Sequence, residues 1–221
     1  MKVNNTKTEF ARIYIDNDKN IKRNEEWRRN KTLGSKLSSK EDILNRIKLS
    51  IVAFAKLKHL WTSYSKITSE TKIKIYETTV VSILLYNHCT WAAPKEYIEK
   101  VDTCHRNHIR QILNIKWPQK ITNEKLYQLA NVSPLSQRTP KARWKMLGKV
   151  LRQDENSAAY CSLIFARNSK STYDARRGRP PINLYDTITQ DLLSRQMSIE
   201  TDEDLQDTKQ KARDLKQWEN I

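Results

Sequence analysis

Three glycines in 221 residues, Gly34, Gly148 and Gly178, set the tightest limit on what this chain can fold into. Hairpin turns and phosphate-cradling loops need positions with positive φ or close backbone approach, and glycine supplies these without steric cost. With so few, a Gly-rich phosphate loop is not available, which argues against Rossmann and P-loop chemistry. An all-β fold built on tight turns is disfavoured for the same reason. The expectation is a mainly α chain.

Charge narrows the class of partner. The chain carries a formal +16 with a pI near 9.8. The segment from Glu200 to Ile221 holds seven acids (Glu200, Asp202, Glu203, Asp204, Asp207, Asp214, Glu219) against four bases (Lys209, Lys211, Arg213, Lys216). The first 199 residues therefore carry +19. A field of that sign attracts polyanions and releases counterions on meeting phosphates. Without a long basic amphipathic helix bearing an aromatic face, nucleic acid is the expected partner rather than a membrane. Apolar residues make up 38% and charged residues 30%, the balance of a helical protein with wide solvated faces. Three cysteines (Cys89, Cys104, Cys161), no apolar signal core in MKVNNTKTEF and no membrane-length apolar run predict a reduced, intracellular protein, cytoplasmic or nuclear.

Along the chain, residues 1–37 are the one region with strand character. Glu9–Ile15 is β-rich and stops at Asp16–Asn17–Asp18, Lys31–Leu37 reads as a second short strand, and the polar stretch between them reads as a loop. Helices follow. Ser38 with Glu41 fits a capping box, and Ile43, Ile47, Phe54, Leu57 and Trp61 share a stripe. A second helix begins near Ser69 and carries Ile73, Tyr76, Val80, Ile83 and Leu84; a third covers about 95–114. Thr122 caps a short helix, and Ser133–Pro134 opens another that Pro140 should kink or split before Trp144, Leu147 and Val150. Residues 167–183 show no apolar periodicity and read as an exposed linker. Two helices close the chain, one with Leu184, Ile188, Asp191 and Leu192, the other from about Asp204 to Trp218.

Several phrases in this order resemble the C-terminal third of LINE-type (non-LTR) retrotransposon reverse transcriptases. Val3–Glu9 looks like the phrase after the polymerase active site, and Lys31–Ser35 looks like the primer-grip hairpin, with Thr32 where an aromatic is usual. Arg46–Ile47 through Leu57 and Trp61 is similar to a thumb helix. Lys72–Tyr76, Leu84–Leu85–Tyr86 and Trp91 look like the next, with Asn87 replacing glycine. His105–Arg110, Thr122–Asn123–Glu124, Arg143–Trp144 and Leu147–Arg152 continue the likeness, with Lys149 in place of histidine. Arg177–Gly178–Arg179–Pro180 with Asp186 and Asp191–Leu192 (Tyr185 replacing tryptophan), then Ala212–Asp214 and Trp218, complete it. Each phrase alone is weak; together, in family order across nearly the whole chain, they are specific.

The resemblance implies a palm and primer-grip β-hairpin remnant at 1–37, a three-helix thumb-like bundle at 38–114, a basic helical region at 115–166, a linker at 167–183 and a C-terminal helical pair at 184–221. Polymerases of this family hold two Mg²⁺ ions on an aromatic-x-Asp-Asp turn. No Asp-Asp pair occurs in this sequence, and the likeness starts downstream of that turn. The expectation is a chain with no cofactor and no polymerase activity of its own, magnesium belonging to the parent enzyme. By resemblance Lys7 would lie near nucleotide phosphates, although a solvated lysine is the preferred reading. Leu33–Gly34 would form the primer-grip turn, or an ordinary β-turn.

The expected nucleic-acid contacts follow charge density. Arg138, Lys141, Arg143, Lys145, Lys149 and Arg152 fall within one acid-free stretch, and Lys141, Lys145, Lys149 and Arg152 share one helical face. Such contacts grip phosphates without reading sequence. Arg176, Arg177 and Arg179 add a basic linker that matches the core of an AT-hook, a four-residue match for which generic phosphate contact is preferred. Trp144 is read as core rather than as a base-stacking ring. Cys89, Cys104, His88, His105 and His108 lack the spacing of a zinc site, so core cysteines and surface histidines are expected. The function expected is the binding of RNA or DNA through phosphates, with the upstream palm as a further partner and no membrane. The alternatives are a helical interaction module without nucleic-acid binding, and a chromatin-type binder acting through the linker.

Overall fold

The computed structural model describes residues 13–15, 21–23, 31–62, 67–169 and 182–220. The fold is mainly α. Two small antiparallel hairpins come first: β1 (Ile13–Ile15) with β2 (Ile21–Arg23), and β3 (Lys31–Thr32) with β4 (Ser35–Lys36). The β2 strand falls in a stretch read from sequence as a loop. Ile21 is its one β-branched residue, too weak a signal without the partner that the register supplies. Eleven helical segments follow among the described residues: α1 (Ser39–Lys56), α2 (Lys58–Trp61), α3 (Ser69–Tyr76), α4 (Ser82–Leu84), α5 (Lys95–Ile112), α6 (Asn123–Ala130), α7 (Arg138–Leu151), α8 (Ala158–Ser169), α9 (Leu184–Leu193), α10 (Asp202–Arg213) and α11 (Leu215–Asn220). A π-helical turn, Glu77–Val81, joins α3 to α4. None of the described helices is long and apolar enough to cross a membrane.

The chain forms two compact units, residues 1–87 with 106–121, and residues 88–105 with 122–221. The boundary runs through α5 rather than after it, so it falls inside the expected 38–114 segment. The side chains of α5 show why. Asp102 accepts the backbone N–H of Ser136 at 3.0 Å and His105 lies against the Tyr127 ring, both in the second unit. His108, one turn on, stacks on Phe54 in the first.

In the first unit α1 packs on the 77–84 stretch. Its core is aromatic: Phe54 stacks on Trp61 at 5.0 Å and meets Tyr76 edge-on, and Ile43, Val80, Leu84, Ile109 and Ile112 are buried. The Trp61 indole N–H donates to the Phe54 carbonyl at 2.8 Å, which closes the end of α1. At its start Ser38 occupies the N-cap position but makes no side-chain cap bond, against the capping-box expectation. The Glu41 carboxylate pairs with the Lys36 ammonium at 3.4 Å instead, and the next residue, Asp42, accepts the Lys36 backbone N–H at 2.9 Å.

The second unit is built on Trp144, Leu147, Leu151, Leu163, Tyr185, Ile188, Leu192, Ile199, Leu205 and Trp218. Thr122 caps α6 by accepting from Lys125 N–H, and Asn131 ends it in the left-handed region at φ 52°. Pro140 does not split α7. A single 3-10 turn (Leu135–Gln137) precedes the helix, and Pro140 is its third residue, where the backbone N–H has no intrahelical acceptor to lose. The expected linker begins later than residue 167, because Arg167–Ser169 complete α8 and Arg167 pairs with Asp202 at 2.5 Å. The last helix is two, broken at Asp214, whose backbone is extended.

Candidate nucleic-acid interface

Helix α7 separates its cations by face. Lys141, Lys145 and Lys149 are exposed, one turn apart, which places consecutive ammonium stems about 6 Å along the axis. Thr139, Arg143, Trp144, Leu147 and Leu151 are buried on the other side. Arg138 and Arg152 flank the lysine row, half-exposed. Arg152 has a structural task as well, donating to the Ala212 carbonyl at 2.7 Å near the end of α10.

Arg143, expected among the phosphate-contacting cations, is not on that face. At about 100° per residue it lies nearly opposite Lys145. It is 6% exposed, donates through Nε to Asp191 at 2.5 Å and through Nη2 to the same carboxylate at 3.3 Å, and reaches the Trp91 carbonyl at 3.3 Å. A buried guanidinium needs such a bidentate partner, because the desolvation of an unpaired charge is several kcal/mol or more. Asp191 is 48 residues away, and no local pattern in the sequence couples the two.

Trp144 is core. It stacks on Trp218 with centroids 4.0 Å apart and planes 3° from parallel, and each indole N–H donates to the other residue's carbonyl, at 2.7 and 3.1 Å. Gly148 makes the stack possible: a Cβ there would lie inside 3.0 Å of the Trp218 ring. Arg195 covers the Trp144 ring at 4.4 Å.

In the first unit, Leu33 and Gly34 form the turn between β3 and β4. Both have positive φ, 50° and 82°, as a two-residue hairpin turn of this twist requires. For leucine that conformation costs about 1–2 kcal/mol. It persists because the turn is clamped: the Tyr86 hydroxyl donates to Leu33 O at 2.8 Å, and Arg46 donates to Gly34 O at 2.6 Å and Ser35 Oγ at 3.3 Å. Arg46 in turn lies over the Tyr86 ring at 4.2 Å, and Asn87 donates to Ser35 Oγ at 3.2 Å. The Leu33 side chain is left 89% exposed at the tip. Asn87 itself has φ 58°, a position glycine fills at no cost and asparagine tolerates better than other residues. Lys7, Arg176, Arg177 and Arg179 lie outside the described residues.

The histidines differ from expectation. His105 and His108 are buried, not on the surface. Helical spacing does place both on the buried stripe, His105 four residues from Val101 and Ile109 and His108 four from Cys104 and Ile112, and it is the polar residue type that argues for the surface. His108 sits 4.1 Å from the Phe54 ring with its Nδ1 3.4 Å from the Tyr76 hydroxyl, and burial pushes its pKa down to about 4. Cys104 is buried, Cys161 is exposed, and Cys89 is half-buried with its thiol pKa raised by burial. Among the described residues no three His, Cys, Asp or Glu side chains converge to hold a metal ion.

No protein-family model, no curated protein and no solved structure matches this chain.

Proposed function

We propose that this chain binds RNA or DNA through phosphate contacts, as the non-catalytic C-terminal part of a LINE-type reverse transcriptase. The observation that carries the reading is the exposed Lys141–Lys145–Lys149 row, set on a helix whose opposite face is fixed by Arg143–Asp191 and the Trp144–Trp218 stack. A rigid element with evenly spaced ammonium groups suits a polyanionic backbone, and it carries no group able to read base edges strictly. The sequence likeness is the support for the family, and the net +19 of the first 199 residues supports the polyanion. The clamped Leu33–Gly34 turn stands where the likeness places a primer grip. Polymerase activity is not part of the proposal, since the Asp-Asp turn is missing from the sequence.

A second reading, a helical interaction module, is favoured by one observation. Leu44, Ile51 and Val52 lie on one face of α1 and are 39%, 50% and 53% exposed. One experiment separates the two. The variant K141E/K145E/K149E is expected to lose affinity for labelled RNA and DNA at least tenfold in fluorescence anisotropy, while its circular dichroism and Tm stay unchanged. Unaltered binding would sink the phosphate face, and absence of binding by the parent chain would favour the interaction module.

A further inference from the structure

We propose that Trp117 is a stacking platform for an unpaired nucleobase, a second nucleic-acid contact independent of α7 and of a different chemical kind. Trp117 is 88% exposed, whereas Trp61, Trp91, Trp144 and Trp218 are each 1–5% exposed. An indole is the largest apolar side chain, and leaving its whole face in water is unfavourable.

Local hydrogen bonding presents it. After α5, Ile115 N–H donates back to Arg110 O at 2.9 Å with Asn114 in the left-handed region at φ 54°, which terminates the helix cleanly. Gln119 N–H then donates to Lys116 O at 2.9 Å, so Trp117 and Pro118 occupy the corner of a closed turn. The hydrogen-bonded backbone fixes the turn from which the ring projects.

Its surroundings choose the ligand. Lys116, Gln119 and Lys120 are all exposed, and no ion pair involves either lysine among the described residues. From Thr103 to Asn123 the sequence holds four bases (Arg106, Arg110, Lys116, Lys120) and no acid. A protein-binding hot spot sits in an apolar, water-excluding ring, and a membrane-inserting tip carries exposed aliphatic companions; here the flanking Ile115 and Ile121 are half-buried, and the exposed neighbours of the ring are Lys116, Pro118, Gln119 and Lys120. One aromatic face between cations is the combination that binds single strands, the ring taking a base and the lysines its flanking phosphates. A base-paired duplex offers no free base face to such a tip, so the contact favours single-stranded segments.

The test uses the full chain and fluorescein-labelled probes: short oligo(dT), an abasic strand of the same length, and a paired duplex. W117A is expected to weaken oligo(dT) binding about tenfold and to leave the abasic strand and the duplex unchanged, with W117F retaining most of the affinity. Equal losses on base-bearing and abasic strands, no loss on oligo(dT), or a loss seen only with phosphatidylserine vesicles would each overturn the proposal. Failure of the α7 reading is distinguishable. If K141E/K145E/K149E leaves oligo(dT) binding intact while W117A weakens it, the lysine face falls and the stacking contact stands.

Discussion

His108 shows what burial does to a single residue. Packed against Phe54 and beside the Tyr76 hydroxyl, its imidazole is neutral in the folded chain down to about pH 4, whereas an unfolded chain protonates it near 6.5. Between those two values the unfolded state binds more protons, so stability rises with pH across that window and is lost as pH falls through it. The full effect is about 3 kcal/mol. Urea unfolding at a series of pH values should show this slope below about 6.5, and His108→Phe should flatten it; a variant with an unaltered slope would refute the assignment. The spacing of His108 from Cys104 and Ile112 puts it on the buried stripe of α5, but its partners Phe54 and Tyr76 are distant along the chain and leave no local mark. Gly34 and Asn87 are residue types that accept a left-handed backbone, whereas Leu33 is not, and its positive φ has no signature in the sequence. Arg46 and Tyr86, which clamp the Leu33–Gly34 turn, are 12 and 53 residues from the carbonyls they hold, and no local pattern links them to it.

At the scale of elements, the lysine row on α7 and the presence of most helices follow from residues a turn apart, while the end of α8, the break at Asp214 and the continuity of α7 through Pro140 do not. Neither does the role of Arg143. Its density among lysines suggested a phosphate ligand, but its angle on the helix and its distant carboxylate make it a buried fastener between α7 and α9. The same helix contains the clearest packing constraint in the second unit. On an isolated helix Gly148→Ala would stabilise by about 1 kcal/mol. Here the added methyl would drive into a ring that cannot retreat without breaking its hydrogen bond to the Trp144 carbonyl. Overpacking costs about 1–3 kcal/mol, and an approach well inside 3.0 Å to the ring puts this case at the upper end, which outweighs the propensity gain. Gly148→Ala should lower the urea midpoint and weaken the near-ultraviolet tryptophan dichroism; a rise in the midpoint would contradict the packing.

For the whole molecule the useful quantity is charge. Acidic residues concentrate after Glu200, while the body before it carries +19. If Lys141, Lys145 and Lys149 each neutralise one phosphate, duplex DNA binding should weaken steeply with salt, and K141E/K145E/K149E should flatten the slope of log K against log salt by roughly 3. An unchanged slope would mean that the three lysines touch no phosphate. The mainly α class was legible from glycine scarcity and helical periodicity. The division into two compact units was not, since it runs inside one uninterrupted helix and depends on contacts that no local pattern records. The paired indoles carry a last consequence. Residues 74 positions apart exchange N–H donors reciprocally, so peeling α11 away strips both rings of acceptors at once. Fraying at that helix is therefore coupled to the loosening of α7, and the final turns of the chain open cooperatively with the unit's centre instead of ahead of it.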